Sequence, residues 1–292
     1  MRVFVAGATG AVGSLLAPML VGAGHEVTGT SRTLAGIERI RNLGATGVQA
    51  DALDADSLRQ AVCAAAPEVL VHQLTDLSGA DGAANGRIRR EGTRNLVEAA
   101  KAAGVGRIVA QSISWAYAPG EGPANEAVPL DSTAAQPRAR MVDAVRALEE
   151  TAAELGTAVV LRYGLLYGPG TWYAPGGAFA AALTGDGSAR FLGSTVANDA
   201  VSSFVHVADA ARATLAALDW PGGPVNIVDD EPAPAHEWLP ALVKALRVPA
   251  PGPVTGRQEW ERGAHNTLAR SRGWQPEWPT WRTGFAARRD NL

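Results

Sequence analysis

The chain has 292 residues, of which 47% are apolar and 19% charged, and a formal net charge of −3. That supplies enough apolar material for a sizeable core, and the charge balance excludes a general pull toward nucleic acid or an anionic membrane. A single cysteine, Cys63, excludes an intrachain disulfide and fits a reducing, cytoplasmic setting.

The first apolar run, from Val3, is too short for a signal-peptide core, and no apolar stretch approaches the roughly 20 residues that cross a bilayer. Strands are predicted at 3–6, 26–30, 46–49, 69–73, 107–111 and 158–162, with helices between them at 12–22, 34–43, 55–65, 86–103 and 138–155. Strand and helix in repeated alternation mean parallel strands with right-handed crossovers and helices on both faces. The runs VFVA and VVLR are almost wholly apolar, as strands covered on both faces are. Cys63, in the third helix, reads as a small buried apolar residue.

After about residue 165 glycine and proline become frequent, as in YGPGTWYAPGG, WPGGP and VPAPGP. Helical stretches survive near 176–184, 207–218 and 235–246. The predicted class is α/β: a Rossmann-type doubly wound parallel sheet at 1–165 that binds a dinucleotide. A smaller substrate-binding lobe, at 166–292, is interwoven with it rather than independent.

The segment GATGAVG follows the first strand and opens a helix. Gly7 suits a tight turn, Gly10 a close approach of backbone to a diphosphate, and Gly13 close packing of helix on strand. Thr9, Ala11 and Val12 complete the cradle, and the helix start offers unpaired N–H groups and a positive dipole end. The second strand ends Gly29-Thr30-Ser31-Arg32, where an NAD site carries a carboxylate for the ribose 2′-hydroxyl. A hydroxyl at Ser31 and a guanidinium at Arg32 favour a 2′-phosphate, hence NADP(H) over NAD(H). Asp51, followed by Ala52 past the third strand, is placed either for the adenine amino group or to cap the next helix.

These residues, with EGTRNLVEAAKAAGVGRIV, LRYGLLYGPG, SFVHVADAARA and GWQPEWPTWRTGF, resemble the extended short-chain dehydrogenase/reductases of the NAD-dependent epimerase/dehydratase family along nearly the whole chain. The resemblance implies that Leu74 and Thr75 lie near the cofactor ribose and that Tyr163 and Leu165 flank the nicotinamide. It also implies a homodimer through helices 86–103 and 138–155.

It further implies a catalytic Tyr and Lys four positions apart on a helix, with a Ser or Thr at the end of the fifth strand. Those helix positions fall on Met141 and Val145. None of the four tyrosines lies between 118 and 162, and the lysines are Lys101 and Lys244, so the pair is absent rather than misaligned. In QSISWAY, Ser112 and Ser114 flank the expected serine position, and Tyr117 follows. These three are the catalytic candidates, the serines to hold a carbonyl oxygen and Tyr117 or a water to give a proton.

Nucleotide-sugar members carry Arg-Asp where this chain has Ser202-Ser203, which removes a diphosphate anchor. Trp115, Trp172 and Tyr173 form either a roomy, partly apolar pocket for a small substrate or aromatic packing under a loop. No paired His or Cys spacing suggests a metal. The favoured function is NADP(H)-dependent reduction of a small aromatic or polycyclic carbonyl compound. The alternatives are a non-redox isomerase, epimerase or lyase, and a non-catalytic NADP sensor.

Overall fold

The computed structural model describes residues 1–76, 82–192 and 196–286. The first half alternates as the sequence predicts: β1 (Arg2–Ala6), α1 (Gly13–Gly22), β2 (Glu26–Ser31), α2 (Leu34–Asn42), β3 (Thr46–Gln49), α3 (Ala55–Ala65) and β4 (Val69–His72). Next come α4 (Gly82–Arg87), a π-helical turn (Ile88–Gly92), α5 (Thr93–Ala102), β5 (Arg107–Ile113), α6 (Arg138–Ala152) and β6 (Thr157–Tyr163). The seven-stranded sheet runs β10-β6-β5-β4-β1-β2-β3, where β10 is Gly223–Ile227. The pairs β1–β2, β1–β4, β2–β3 and β4–β5 are parallel.

The order turns back at β1, since the chain leaves β3 on one side and returns as β4 on the other. Such a reversal opens a crevice at the carboxyl ends of the strands, and ligands of open α/β sheets bind there. Ala6 at the end of β1 is in register with His72 at the end of β4. Burial explains the strands: Val3, Phe4, Val5 and Ala6 of β1 are at most 2% exposed, and β4 is buried along its whole length.

The predicted helix 86–103 is broken into α4, the π-turn and α5. Its first turn, GAANG, has little intrinsic helix propensity, which is why periodicity missed it. Gly86 is buried, and a Cβ built on it would reach the Cβ of Ala144 on α6 at 3.8 Å, so helix packing overrides propensity there. Cys63 is a correction. It is exposed, because Leu58, Ala61 and Val62 form the buried face of α3 and Cys63 turns away from it.

The remaining elements are β7 (Leu165–Tyr167), α7 (Ala178–Leu183), a 3-10 turn (Gly187–Leu192), β8 (Val201–Ser202), β9 (Phe204–His206) and α8 (Val207–Ala216). After β10 come β11 (Ala233–Pro234), α9 (Ala235–Leu246), α10 (Thr267–Ser271) and α11 (Trp281–Gly284). Two units result. The first is Met1–Ser112, Ala134–Leu161 and Ala211–Pro224, and the second Ile113–Thr133, Arg162–Ala210 and Val225–Leu292. The first has an aliphatic core built on Phe4, Leu58, Leu70, Leu96 and Ile108. The core of the second is aromatic, with Tyr167, Phe204, Trp238 and Trp281. No helix among the described residues is long and apolar enough to cross a membrane.

Candidate active site

In the first unit the three loop glycines differ in what holds them. Gly7 has φ +95°, and a Cβ on it would stand 2.6 Å from the Gln73 carbonyl oxygen. A Cβ on Gly13 would stand 2.2 Å from the Gly7 carbonyl oxygen. Both are therefore glycine for the sake of the fold. At Gly10 the nearest atom to a Cβ is 3.4 Å away, and the residue is exposed. The protein itself does not demand a glycine there, whereas a diphosphate lying on the backbone would. No side chain caps α1, and among the described residues the N–H groups of Ala11 and Val12 make no hydrogen bond within the chain. Open donors at a helix start beside a bare backbone fit a dinucleotide diphosphate.

Beyond the loop, Ser31 Oγ accepts from the Thr33 N–H at 3.2 Å and is pressed against Gly36, where a Cβ would stand 2.0 Å away. That hydroxyl is turned into the start of α2. Arg32 is exposed, and among the described residues its guanidinium has no ion-pair partner. Asp51 Oδ1 accepts from the Leu53 N–H at 2.9 Å, while α3 is capped by Asp54, which accepts from Asp56 and Ser57. The capping role considered for Asp51 thus belongs to Asp54. Ala52 is buried, and its carbonyl accepts from Asn95 at 2.9 Å. Thr9 is partly buried and Thr75 exposed.

At the end of β4, His72 is fully buried. Its Nε2 pairs with Thr93 Oγ1 at 2.8 Å, and its Nδ1 accepts from the Leu74 N–H at 3.2 Å. Burial, assisted by the Arg89 charge, lowers its pKa to about 4. The ring is neutral with its proton on Nε2, a satisfied core histidine that orders the Leu74 backbone.

On α6, Val145 is 1% exposed and Met141 half-buried, so the face that would carry the acid–base pair is apolar. One turn after Val145 stands Glu149, whose Oε1 accepts from Ser112 Oγ at 2.6 Å. In the second unit, Ser114 donates its N–H to the Tyr163 carbonyl at 2.9 Å, and its hydroxyl has no partner within the described residues. Tyr117 is 1% exposed, donates its hydroxyl to Asn226 Oδ1, and carries the Arg162 guanidinium over its ring at 4.9 Å. Burial raises its pKa. As a proton source it is enclosed and already engaged.

Within the second unit a cavity of about 180 Å³ is lined by Ser114, Trp115, Leu165, Ser202, Trp260 and Glu261, among others. Neighbouring Ser203 exchanges hydrogen bonds with the Ala264 backbone at 2.9 and 3.1 Å, so its hydroxyl serves the fold. Tyr173 does not join this cavity. It stacks on Phe179 at 4.7 Å and meets Phe204 and Trp238 edge-on in the aromatic core. Trp172 is half-buried, and its carbonyl accepts from the Phe179 N–H at 3.0 Å. Trp260 and Glu261 escaped sequence reasoning, because nothing periodic marks them in a stretch with neither helix nor strand.

What holds that stretch is Arg262. It donates to the carbonyls of Gly122 at 2.6 Å and Glu121 at 2.7 Å, and lies against Gly120, where a Cβ would stand 2.3 Å from its guanidinium. His206 is 3% exposed, packed between Tyr167 and Trp278, a place in the fold rather than in the chemistry. Among the described residues no group of three or more His, Cys, Asp or Glu could hold a metal.

A profile of the NAD dependent epimerase/dehydratase family matches residues 3–227. The chain belongs to that family. A Streptomyces member, named 3-diazoavenalumate denitrifying reductase, is 42% identical over 311 aligned residues, covering 98% of this chain and 99% of the relative. The fold is that of the Thermus thermophilus UDP-glucose 4-epimerase solved with NAD, with a TM-score of 0.75, 24% identity, and coverage of 98% of this chain and 97% of that one. The Bacillus cereus UDP-glucuronic acid 4-epimerase, solved with UDP-glucuronic acid and NAD, gives a TM-score of 0.74 at 19% identity, again over 98% and 97%. An epimerase/dehydratase-family enzyme with a nicotinamide cofactor is thus the frame for the site, and the apolar Met141 and Val145 are its departure from the expected acid–base pair.

Proposed function

We propose that this enzyme is an NADPH-dependent reductase that replaces a diazo group by hydrogen on a small aromatic acid, releasing dinitrogen. The observation that carries the reading is its 42% identity, over nearly the whole of both chains, to a reductase named for a denitrifying reaction on a diazo acid. The chemistry of the site supports it. When bound, the reduced dinucleotide supplies a hydride. An arenediazonium cation and a hydride give the arene and dinitrogen: the C–N bond breaks, a C–H bond forms, two electrons arrive with the hydride, and no proton is taken up. A carbonyl group and a hydride give an alkoxide, which must be protonated.

A site without the Tyr and Lys suits the first balance and handicaps the second. Met141 and Val145 place no ionisable group at those two positions of α6, and Tyr117 is held by Asn226. In the second unit, Trp115, Trp260 and Glu261 line one cavity, two large aromatic residues and an acidic one, a composition suited to a planar, positively charged ring. Ser114 offers a hydroxyl to an oxygen on that ring. Exposed Arg32 supports NADPH through its 2′-phosphate.

The test supplies purified enzyme with NADPH and an ortho-hydroxyarenediazonium carboxylate, and follows the products by mass spectrometry and evolved gas. Equal amounts of NADPH oxidised, arene formed and dinitrogen released are expected. A diazo acid left untouched while ketones are reduced, or a sugar nucleotide epimerised with no net oxidation, would overturn the reading.

A further inference from the structure

Arg89 stands on the π-helical turn and is only 9% exposed. Among the described residues it has neither an ion pair nor a hydrogen bond. Burial lowers its pKa to about 10, with no carboxylate acting against the shift. Glu91, the acid on the same turn, is paired with Arg87 at 2.7 Å. Burying a cation without a counter-charge is strongly unfavourable, so a protein that keeps one usually receives its anion from elsewhere.

The fold says where that anion lies. Thr93, four residues after Arg89, pairs its hydroxyl with His72 at 2.8 Å, and His72, the last residue of β4, is in register with Ala6, the residue before the glycine loop. The Gly7 turn lies directly on the Gln73 and Leu74 backbone that leaves β4. The loop GATGAVG holds no basic residue, so its amides offer hydrogen bonds to a diphosphate but no full positive charge. Arg32, at the end of β2, is on the far side of β1 from β4. Arg89 and Arg32 therefore follow strands on opposite sides of β1, and it is Arg32 that the NADPH reading assigns to the 2′-phosphate.

We propose that Arg89 is the counter-ion of the dinucleotide diphosphate, reaching it from the β4 side of the glycine loop. This rests on the glycine loop binding a dinucleotide and assigns a residue that the loop motif does not contain.

The test is calorimetric binding of NADPH and of adenosine 2′-monophosphate to wild type, Arg89→Met and Arg89→Lys, with thermal melts of each apoprotein. The 2′-monophosphate keeps the Arg32 contact and lacks the diphosphate. Arg89→Met should weaken NADPH about ten- to a hundredfold, the span of a charge-assisted hydrogen bond, and leave the 2′-monophosphate within about twofold. Its apoprotein should melt no lower than wild type, since a lone buried charge has been removed, whereas loss of a merely structural contact would lower the melting temperature. Arg89→Lys should recover part of the affinity. Unchanged NADPH affinity in Arg89→Met, equal weakening of both ligands, or a raised KM for the acid substrate alone would overturn the assignment. Wild type that does not bind NADPH would instead remove the glycine-loop reading on which it rests.

Discussion

Ser112 donates its hydroxyl to Glu149 at 2.6 Å, whereas the hydroxyl of Ser114, two residues on, has no partner among the described residues. The sequence offered both serines as substrate-binding groups, and the structure separates them. Ser112 is spent on a carboxylate of α6, and Ser114 lines the cavity beside Trp115.

Ser114→Ala should therefore lower kcat/KM by about tenfold, the weight of one hydrogen bond to substrate, with little change in stability. Ser112→Ala should do the reverse: kcat/KM within about threefold of wild type, and about 1–2 kcal/mol lost in denaturant unfolding because Glu149 loses this donor. Steady-state kinetics and urea melts on the two variants check this, and a larger kinetic effect from Ser112→Ala would count against it.

The glycine loop allows a second separation. A methyl group on Gly13 would meet the Gly7 carbonyl at 2.2 Å, so Gly13→Ala should lower the melting temperature of the apoprotein. On Gly10 the nearest atom is 3.4 Å away, so Gly10→Ala should fold and melt much as wild type does. Its methyl group would occupy the diphosphate position, and calorimetry should show dinucleotide affinity falling about tenfold or more.

Arg32 is exposed and among the described residues has no ion pair to lose, so Arg32→Ala should leave stability unchanged. It should weaken NADPH by about tenfold and NADH by much less, since only the first carries a 2′-phosphate. Equal weakening of both, measured by titration, would point to NAD as the natural cofactor.

His72 gives a pH dependence with a definite sign. Its pKa falls from 6.5 in an open chain to about 4 in the fold, because burial and the Arg89 charge disfavour the imidazolium. The unfolded chain therefore takes up a proton below about pH 6.5 while the folded protein does not, and stability is lost as pH falls toward 4. The loss attributable to this group is on the order of 3 kcal/mol. His72→Gln should flatten that part of the stability–pH curve in urea melts. Arg89→Met should raise the His72 pKa, which histidine NMR shifts would register.

The β/α alternation and the glycine loop were legible in the sequence because they are local, written in periodicity and in residues at fixed spacing. Thus α3 and β3 fall where periodicity puts them, and the loss of the Tyr and Lys is plain from which residues stand at 141 and 145. Tertiary facts were not legible. The GAANG turn is helical and packs on Ala144 of α6, Cys63 is exposed on the outer side of its helix, and Tyr173 is claimed by Phe179 and Trp238. Trp260 and Glu261 join a cavity with residues nearly 150 positions earlier, a distance over which periodicity has nothing to say.

The grip of Arg262 on the 118–122 loop makes two remote stretches of chain a single transferable part. Anyone grafting a new binding wall onto this scaffold by exchanging 257–264 alone would strand three carbonyls, those of Ala118, Glu121 and Gly122, without their donor. Exchanging the earlier loop alone, with any side chain in place of Gly120, would drive that chain into the guanidinium. Chimaeras between family members should keep their specificity intact only when both stretches travel together.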